Sequence, residues 1–144
     1  MNYLAKGVSV LLVEDDDVDA MAIERDFRKC NLDNCLIRAR DGVEALELLR
    51  AGEISQPYII LLDLQMPRMT GVEFLAAIRT DARFCSSIIF VLTTSRAVED
   101  LAATYRQNIV DFFLKSNLQE VDGGIVGLLQ DHWSAVSFPT DTSA

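Results

Sequence analysis

Short apolar runs alternate along the chain with longer segments in which apolar residues recur at helical spacing. The runs at 8–13, 35–39, 58–62, 88–92 and 111–114 are rich in Val, Ile, Leu and Phe, and several are apolar nearly throughout. Strands covered by helices on both faces of a parallel sheet have that composition, because neither face is solvated. Five strands are predicted. Between them, Ala20, Ile23, Phe27 and Cys30 share one helical face, as do Val98, Leu101 and Tyr105 before the fifth strand, so the connections read as amphipathic helices. Asp17 and Asp41 stand where they would cap the first two helices, and Thr70, beside Gly71, the third; short oxygen-bearing side chains accept from the unpaired amides of a first turn. A strand–helix unit repeated five times predicts an α/β domain, a doubly wound five-stranded parallel sheet in the order 2-1-3-4-5 with flanking helices.

The last helix, expected from Leu118 to Val136, departs from the pattern. Gly123, Gly124 and Gly127 lie within it, and each is expected to weaken a helix by about 1 kcal/mol relative to alanine. Leu118, Val121, Ile125, Val126, Leu128, Leu129, Trp133 and Val136 cover an arc of roughly 160° at about 100° per residue. Either part of that arc meets another subunit, giving a homodimer through the last strand and helix, or the tail at 137–144 folds back over it. His132 falls within the same arc and reads as a packing residue. One domain over 1–136 and a flexible tail over 137–144 are expected.

Composition narrows the partners. A length of 144 residues suits one domain with its own core, and a net charge of −9 disfavours a nucleic-acid surface, which needs a basic face. Cys30, Cys35 and Cys85 are an odd set without Cys-x-x-Cys spacing, so reduced thiols are expected rather than a disulfide framework or zinc site. No apolar stretch approaches the roughly 20 residues that span a bilayer. A soluble, cytoplasmic protein is expected.

The order 2-1-3-4-5 predicts where polar chemistry collects. Ligands in such sheets bind beyond the carboxyl ends of the strands, where strand order reverses, here between the first and third. Glu14, Asp15 and Asp16 end the first strand, Asp63 ends the third, and Thr93 and Lys115 follow the fourth and fifth. Carboxylates so crowded repel unless a cation or proton intervenes. Magnesium prefers hard oxygen ligands, and Asp15 and Asp63 are its expected direct ligands. Lys115 is expected to pair with Asp63 at rest and with a phosphoryl oxygen afterwards, while the Thr93 hydroxyl donates to another oxygen. Asp63 is then the nucleophile of an in-line phosphoryl transfer. A phosphatase using an aspartate nucleophile would want a second acid two residues on, where Gln65 stands, and a flavin or nucleotide module would want a glycine-rich loop after the first strand.

Val13-Glu14-Asp15-Asp16, Leu61-Leu62-Asp63-Leu64-Gln65-Met66-Pro67 with Gly71, Val91-Leu92-Thr93-Thr94-Ser95 and Phe112-Phe113-Leu114-Lys115, in that order, resemble the receiver domain of bacterial two-component response regulators from about residue 7 to 134. The resemblance implies a flavodoxin-like receiver fold, with Asp63 as phosphoacceptor. It makes Asp15, Asp63 and the Gln65 backbone carbonyl ligands of magnesium, and Glu14 a ligand through water. Thr93 becomes the switch hydroxyl, Phe112 the aromatic whose rotamer follows it, and Gln65 and Ser95 positions that influence hydrolysis of the acyl phosphate. It implies a histidine kinase as phosphodonor, no DNA-binding output domain, and no enzyme activity beyond magnesium-dependent self-phosphorylation and autodephosphorylation. Receivers usually follow the lysine with a cis proline, whereas Ser116 stands here. Leu92-Thr93-Thr94-Ser95, Lys115-Ser116 and Trp133 further resemble the single-domain regulators of bacterial phytochromes, implying a bacteriophytochrome as the kinase and a dimer.

Overall fold

The computed structural model describes residues 8–32, 35–94, 108–118, 120 and 123–131. In chain order these form β1 (Ser9–Val13), α1 (Asp17–Lys29), β2 (Leu36–Ala39), α2 (Gly42–Arg50), β3 (Tyr58–Asp63), α3 (Gly71–Thr80), β4 (Ile88–Thr93), β5 (Asp111–Leu114), a 3-10 turn (Lys115–Asn117) and α4 (Gly124–Asp131). The strands make one parallel sheet in the order β2-β1-β3-β4-β5, the order the alternation predicts. The proposed helix carrying Val98, Leu101 and Tyr105 lies outside the described residues, as do Ser95, His132, Trp133, Val136 and the tail at 137–144.

Neighbouring side chains on a strand point to opposite faces, and this sorts the core into two layers. Leu11, Val13, Ile60, Leu62, Ile89 and Val91 pack against Leu46, Leu49, Phe74 and Ile78 of α2 and α3. Their neighbours Val10, Leu12, Ile59, Leu61, Phe90 and Leu92 pack against Ile23 and Phe27 of α1 and Ile125 and Leu129 of α4. β3 and β4 are buried at every position, which is why their sequences are predominantly apolar up to the terminal Asp63 and Thr93. At the amino end of the sheet Arg79 of α3 donates to the carbonyls of Cys85, Ser87 and Asn108, at 2.8, 2.7 and 3.1 Å. It thereby ties together the chain entering β4 and the turn entering β5.

Two expectations are corrected. The cap of α1 is Asp16, not Asp17: Asp16 is extended, at φ −80° and ψ 118°, and its side chain accepts from the Asp19 amide. Asp17 is already the first helical residue, and its carboxylate pairs with Arg38 at 2.9 Å. Asp41 and Thr70 do cap α2 and α3, the latter in a capping box with Glu73. The last helix begins at Gly124 rather than Leu118, because Gly123 and Gly124 have φ of +81° and +56°. Left-handed backbone is open to glycine at little cost, so this pair turns the chain into the helix instead of weakening its interior. A Cβ on Gly124 would lie 2.0 Å from Asp26 Oδ2, and that carboxylate accepts from the Ile125 amide, fastening the start of α4 to α1. The Lys115–Ser116 bond is trans; among the described residues the cis bond is Gln56–Pro57. No helix among the described residues is long and apolar enough to cross a membrane.

Candidate functional site

The register brings the predicted polar residues to one crevice. Val13 of β1 pairs with Leu62 of β3, so Glu14 and Asp63 are each one residue beyond that pair. Leu92 faces Asp63 and Thr93 faces Leu114 across the next two ladders, which puts Thr93 and Lys115 at the same edge. Glu14, Asp63 and Thr93 are buried, at 0%, 4% and 1% exposure, while Asp15 is exposed. The Asp63 carboxylate accepts from the Gln65 amide at 3.2 Å. The Thr93 hydroxyl donates to the Thr94 carbonyl at 3.1 Å. Phe112 is half-buried against the layer beneath α2 and α3.

Lys115 occupies the centre of the crevice, but its closest partners differ from those expected. Its Nζ is 2.9 Å from Glu14 Oε2 and 2.9 Å from Asp19 Oδ2, and only then 3.4 Å from Asp63 Oδ2. Asp19 is an addition to the predicted site. A signal for it was present: Asp19 sits in the first turn of α1, three residues past the capping acid. Arg38, the one charged residue in β2, is a second addition; its guanidinium donates to the carbonyls of Glu14 and Asp15. Across the crevice Arg68 pairs with Asp41 at 2.7 Å and ties the loop after β3 to the cap of α2.

Ligand oxygens of Glu14, Asp15 and Asp63 all lie within 4.8 Å of one another. Hard carboxylates without histidine or cysteine suit magnesium, manganese or calcium rather than zinc. Glu14 Oε2 is buried and receives no hydrogen bond from the described residues, although the Lys115 ammonium forms an ion pair with it at 2.9 Å. A buried carboxylate oxygen left in this way wants a proton, a water or a cation. The donor set therefore fits a divalent cation.

Burial, and then the charge of Asp63, push the Glu14 carboxyl up to about 8 against the pull of Lys115. Burial raises Asp63 as well, although Lys115 and the Gln65 amide draw it back. Burial alone would lower Lys115, yet its bond to Asp19 and the charges of Glu14 and Asp63 outweigh that and raise it. Glu14 thus keeps its proton to higher pH than an ordinary carboxyl. A carboxyl raised on folding contributes stability that is complete below its unfolded value and lost as pH rises through its folded one. Metal-free protein is expected to lose melting temperature between pH 6.5 and 9. A divalent cation should stabilise it more at pH 9 than at pH 6.5, and calorimetry in buffers of different ionisation enthalpy at pH 7 should find net proton release on binding. Proton-neutral binding and a flat melting profile would contradict the assignment to Glu14.

A family model described as "Response regulator receiver domain" matches residues 10–122. "Response regulator Rcp1" of Synechocystis is 32% identical over 135 residues, spanning 90% of this chain and 92% of that protein. The crystal structure of the Mn(2+)-bound form of Rcp1 superposes with a TM-score of 0.76 at 31% identity, over 92% of this chain and 99% of that one. The phosphorylated cyanobacterial phytochrome response regulator RcpA gives a TM-score of 0.77 at 29% identity, over 92% and 98%.

Proposed function

Because the chain belongs to the response regulator receiver domain family, we propose that it is a phosphorylation-dependent switch in which Asp63 accepts a phosphoryl group from a histidine kinase. The observation that carries this reading is the setting of Asp63: buried at the end of β3, 3.4 Å from the Lys115 ammonium and grouped with Glu14 and Asp15. A carboxylate needs no general base to act as a nucleophile. An Asp63 oxygen forms its bond to phosphorus as the bond from phosphorus to the donor's histidine nitrogen breaks, and the imidazole keeps that electron pair. Asp15, Asp63 and the Gln65 carbonyl would hold magnesium, with Glu14 acting through water. Bound there, the ion would compensate the charge on the phosphoryl oxygens.

Lys115 has three donors. Two engage Glu14 and Asp19, and the ammonium is close enough to Asp63 for the third to meet a phosphoryl oxygen there. Thr93, now bonded to its neighbour's carbonyl, is the group that turns toward the added charge of about −1.5 to −2, and Phe112 follows it. The acyl phosphate later leaves by hydrolysis, so the chemistry is confined to the chain's own loading and unloading. The likeness to the phytochrome response regulator RcpA supports a bacteriophytochrome as the kinase, hence a cytoplasmic setting. Half-buried Phe112, Leu114 and Leu128 on β5 and α4 support self-association through that edge, and the charge of −9 suits protein partners over nucleic acid.

Incubation with magnesium and a small acyl phosphate donor is expected to add the mass of one phosphoryl group, labile to hydroxylamine and absent when the metal is chelated. A chain that gains nothing, or gains equally in chelator, is not this switch.

A further inference from the structure

We propose that Arg38 is a positioning residue for the acidic crevice: its guanidinium fixes the backbone on both sides of Asp15, and divalent-cation affinity depends on that geometry rather than on its charge. The inference rests on the reading of Glu14, Asp15 and Asp63 as the cation site. β1 and β2 pair through Val13 and Ala39, and the Glu14 amide still donates to the Ala39 carbonyl at 3.0 Å. Beyond that bond β1 runs past the end of β2. The side chain of Arg38, one residue earlier on β2, fills the vacated position: Nε donates to the Glu14 carbonyl at 3.0 Å and Nη2 to the Asp15 carbonyl at 3.3 Å. Nη1 meets Asp17 Oδ1 at 2.9 Å, and the side chain is only 17% exposed.

Those two carbonyls belong to the peptide planes that flank the Asp15 Cα. Holding both planes sets φ and ψ of Asp15 and so the direction in which its carboxylate leaves the chain. Glu14 has burial and Lys115 to hold it. Asp15 is exposed, and among the described residues no side chain holds its carboxylate, so its backbone aims it. A planar fork of donors performs this task and a lysine ammonium cannot, because one point charge cannot span two carbonyls and a carboxylate in fixed directions. The plain alternative is a surface ion pair with Asp17, of the sort worth little.

The two readings predict opposite signs. As a charge alone, Arg38 repels a cation, so its removal should tighten binding; as a positioning residue, its removal should loosen it. Manganese alone, titrated by electron paramagnetic resonance at fixed pH, is the probe, with melting in chelator recorded alongside. Arg38→Ala and Arg38→Lys are both expected to weaken Mn2+ binding about tenfold, within the range for groups that orient metal ligands. Asp17→Asn, which keeps the guanidinium on both carbonyls, should stay within about twofold. Wild-type affinity in Arg38→Lys, or tighter binding in Arg38→Ala, overturns the proposal, as does a lowered melting temperature with unchanged affinity. Should Arg38→Ala fail to fold, Arg38→Lys decides alone. A wild-type chain that binds no Mn2+, or whose binding survives Asp15→Asn, defeats the cation site itself and the inference with it.

Discussion

Asp63→Asn is expected to gain no phosphoryl mass under conditions that load the wild-type chain, while unfolding at pH 7 within about 1 kcal/mol of it. The amide oxygen lacks the charge and lone-pair reactivity of a carboxylate, yet it can still accept from the Gln65 amide, so the loop after β3 keeps its bond. The variant loses a contact of 3.4 Å to Lys115, but also the cost of a charge held at 4% exposure. Lys115 retains Glu14 and Asp19. The charge of Asp63 is one of the causes that raise Glu14, so Glu14 in the variant should titrate lower and the fall in melting temperature between pH 6.5 and 9 should shallow. Intact mass and melting across that range check both halves. A mass gain that survives moves the phosphoacceptor elsewhere, and a drop of several kcal/mol would make Asp63 a structural group first.

Gly71→Ala is expected to destabilise the chain by about 3 kcal/mol, the upper part of what overpacking costs, or roughly 10 °C in a domain of this size. A Cβ on Gly71 would stand 2.6 Å from the Asp63 carbonyl oxygen and 2.6 Å from the Leu64 Cα. Both are backbone atoms, with no rotamer to give way. Relief requires the start of α3 to lift from the end of β3, which stretches the 2.9 Å bond from the Gly71 amide to the Leu64 carbonyl and turns the peptide that carries Asp63. Cation affinity should therefore fall together with the denaturant midpoint. Wild-type stability in Gly71→Ala would mean that α3 is free to shift at its capped end.

Much of this was legible in the chain itself, for identifiable reasons. β3 and β4 announce themselves as central because burial on both faces leaves no polar position in either before Asp63 and Thr93. Strand order follows from the alternation of elements, and once it is known the acids, Thr93 and Lys115 fall on one edge. Thr70 and Asp41 could be read as caps because each stands without a rival beside it. Asp16 and Asp17 are equally good caps by chemistry, and only the backbone dihedrals distinguish them. Gly123 and Gly124 read as weak helix because residue type does not disclose the sign of φ. Asp19 and Arg38 were missed for a different reason: their roles are contacts with Lys115 and with the backbone after β1, and they exist only after α1 and β2 have docked.

The three carbonyls gathered by Arg79 make that side chain a brace at the amino end of the sheet. β4 and β5 are joined there where they enter the sheet, and Thr93 and Lys115 stand at their opposite ends, so a substitution at Arg79 removes bonds at the far end of both strands and none of those that Lys115 and Thr93 make.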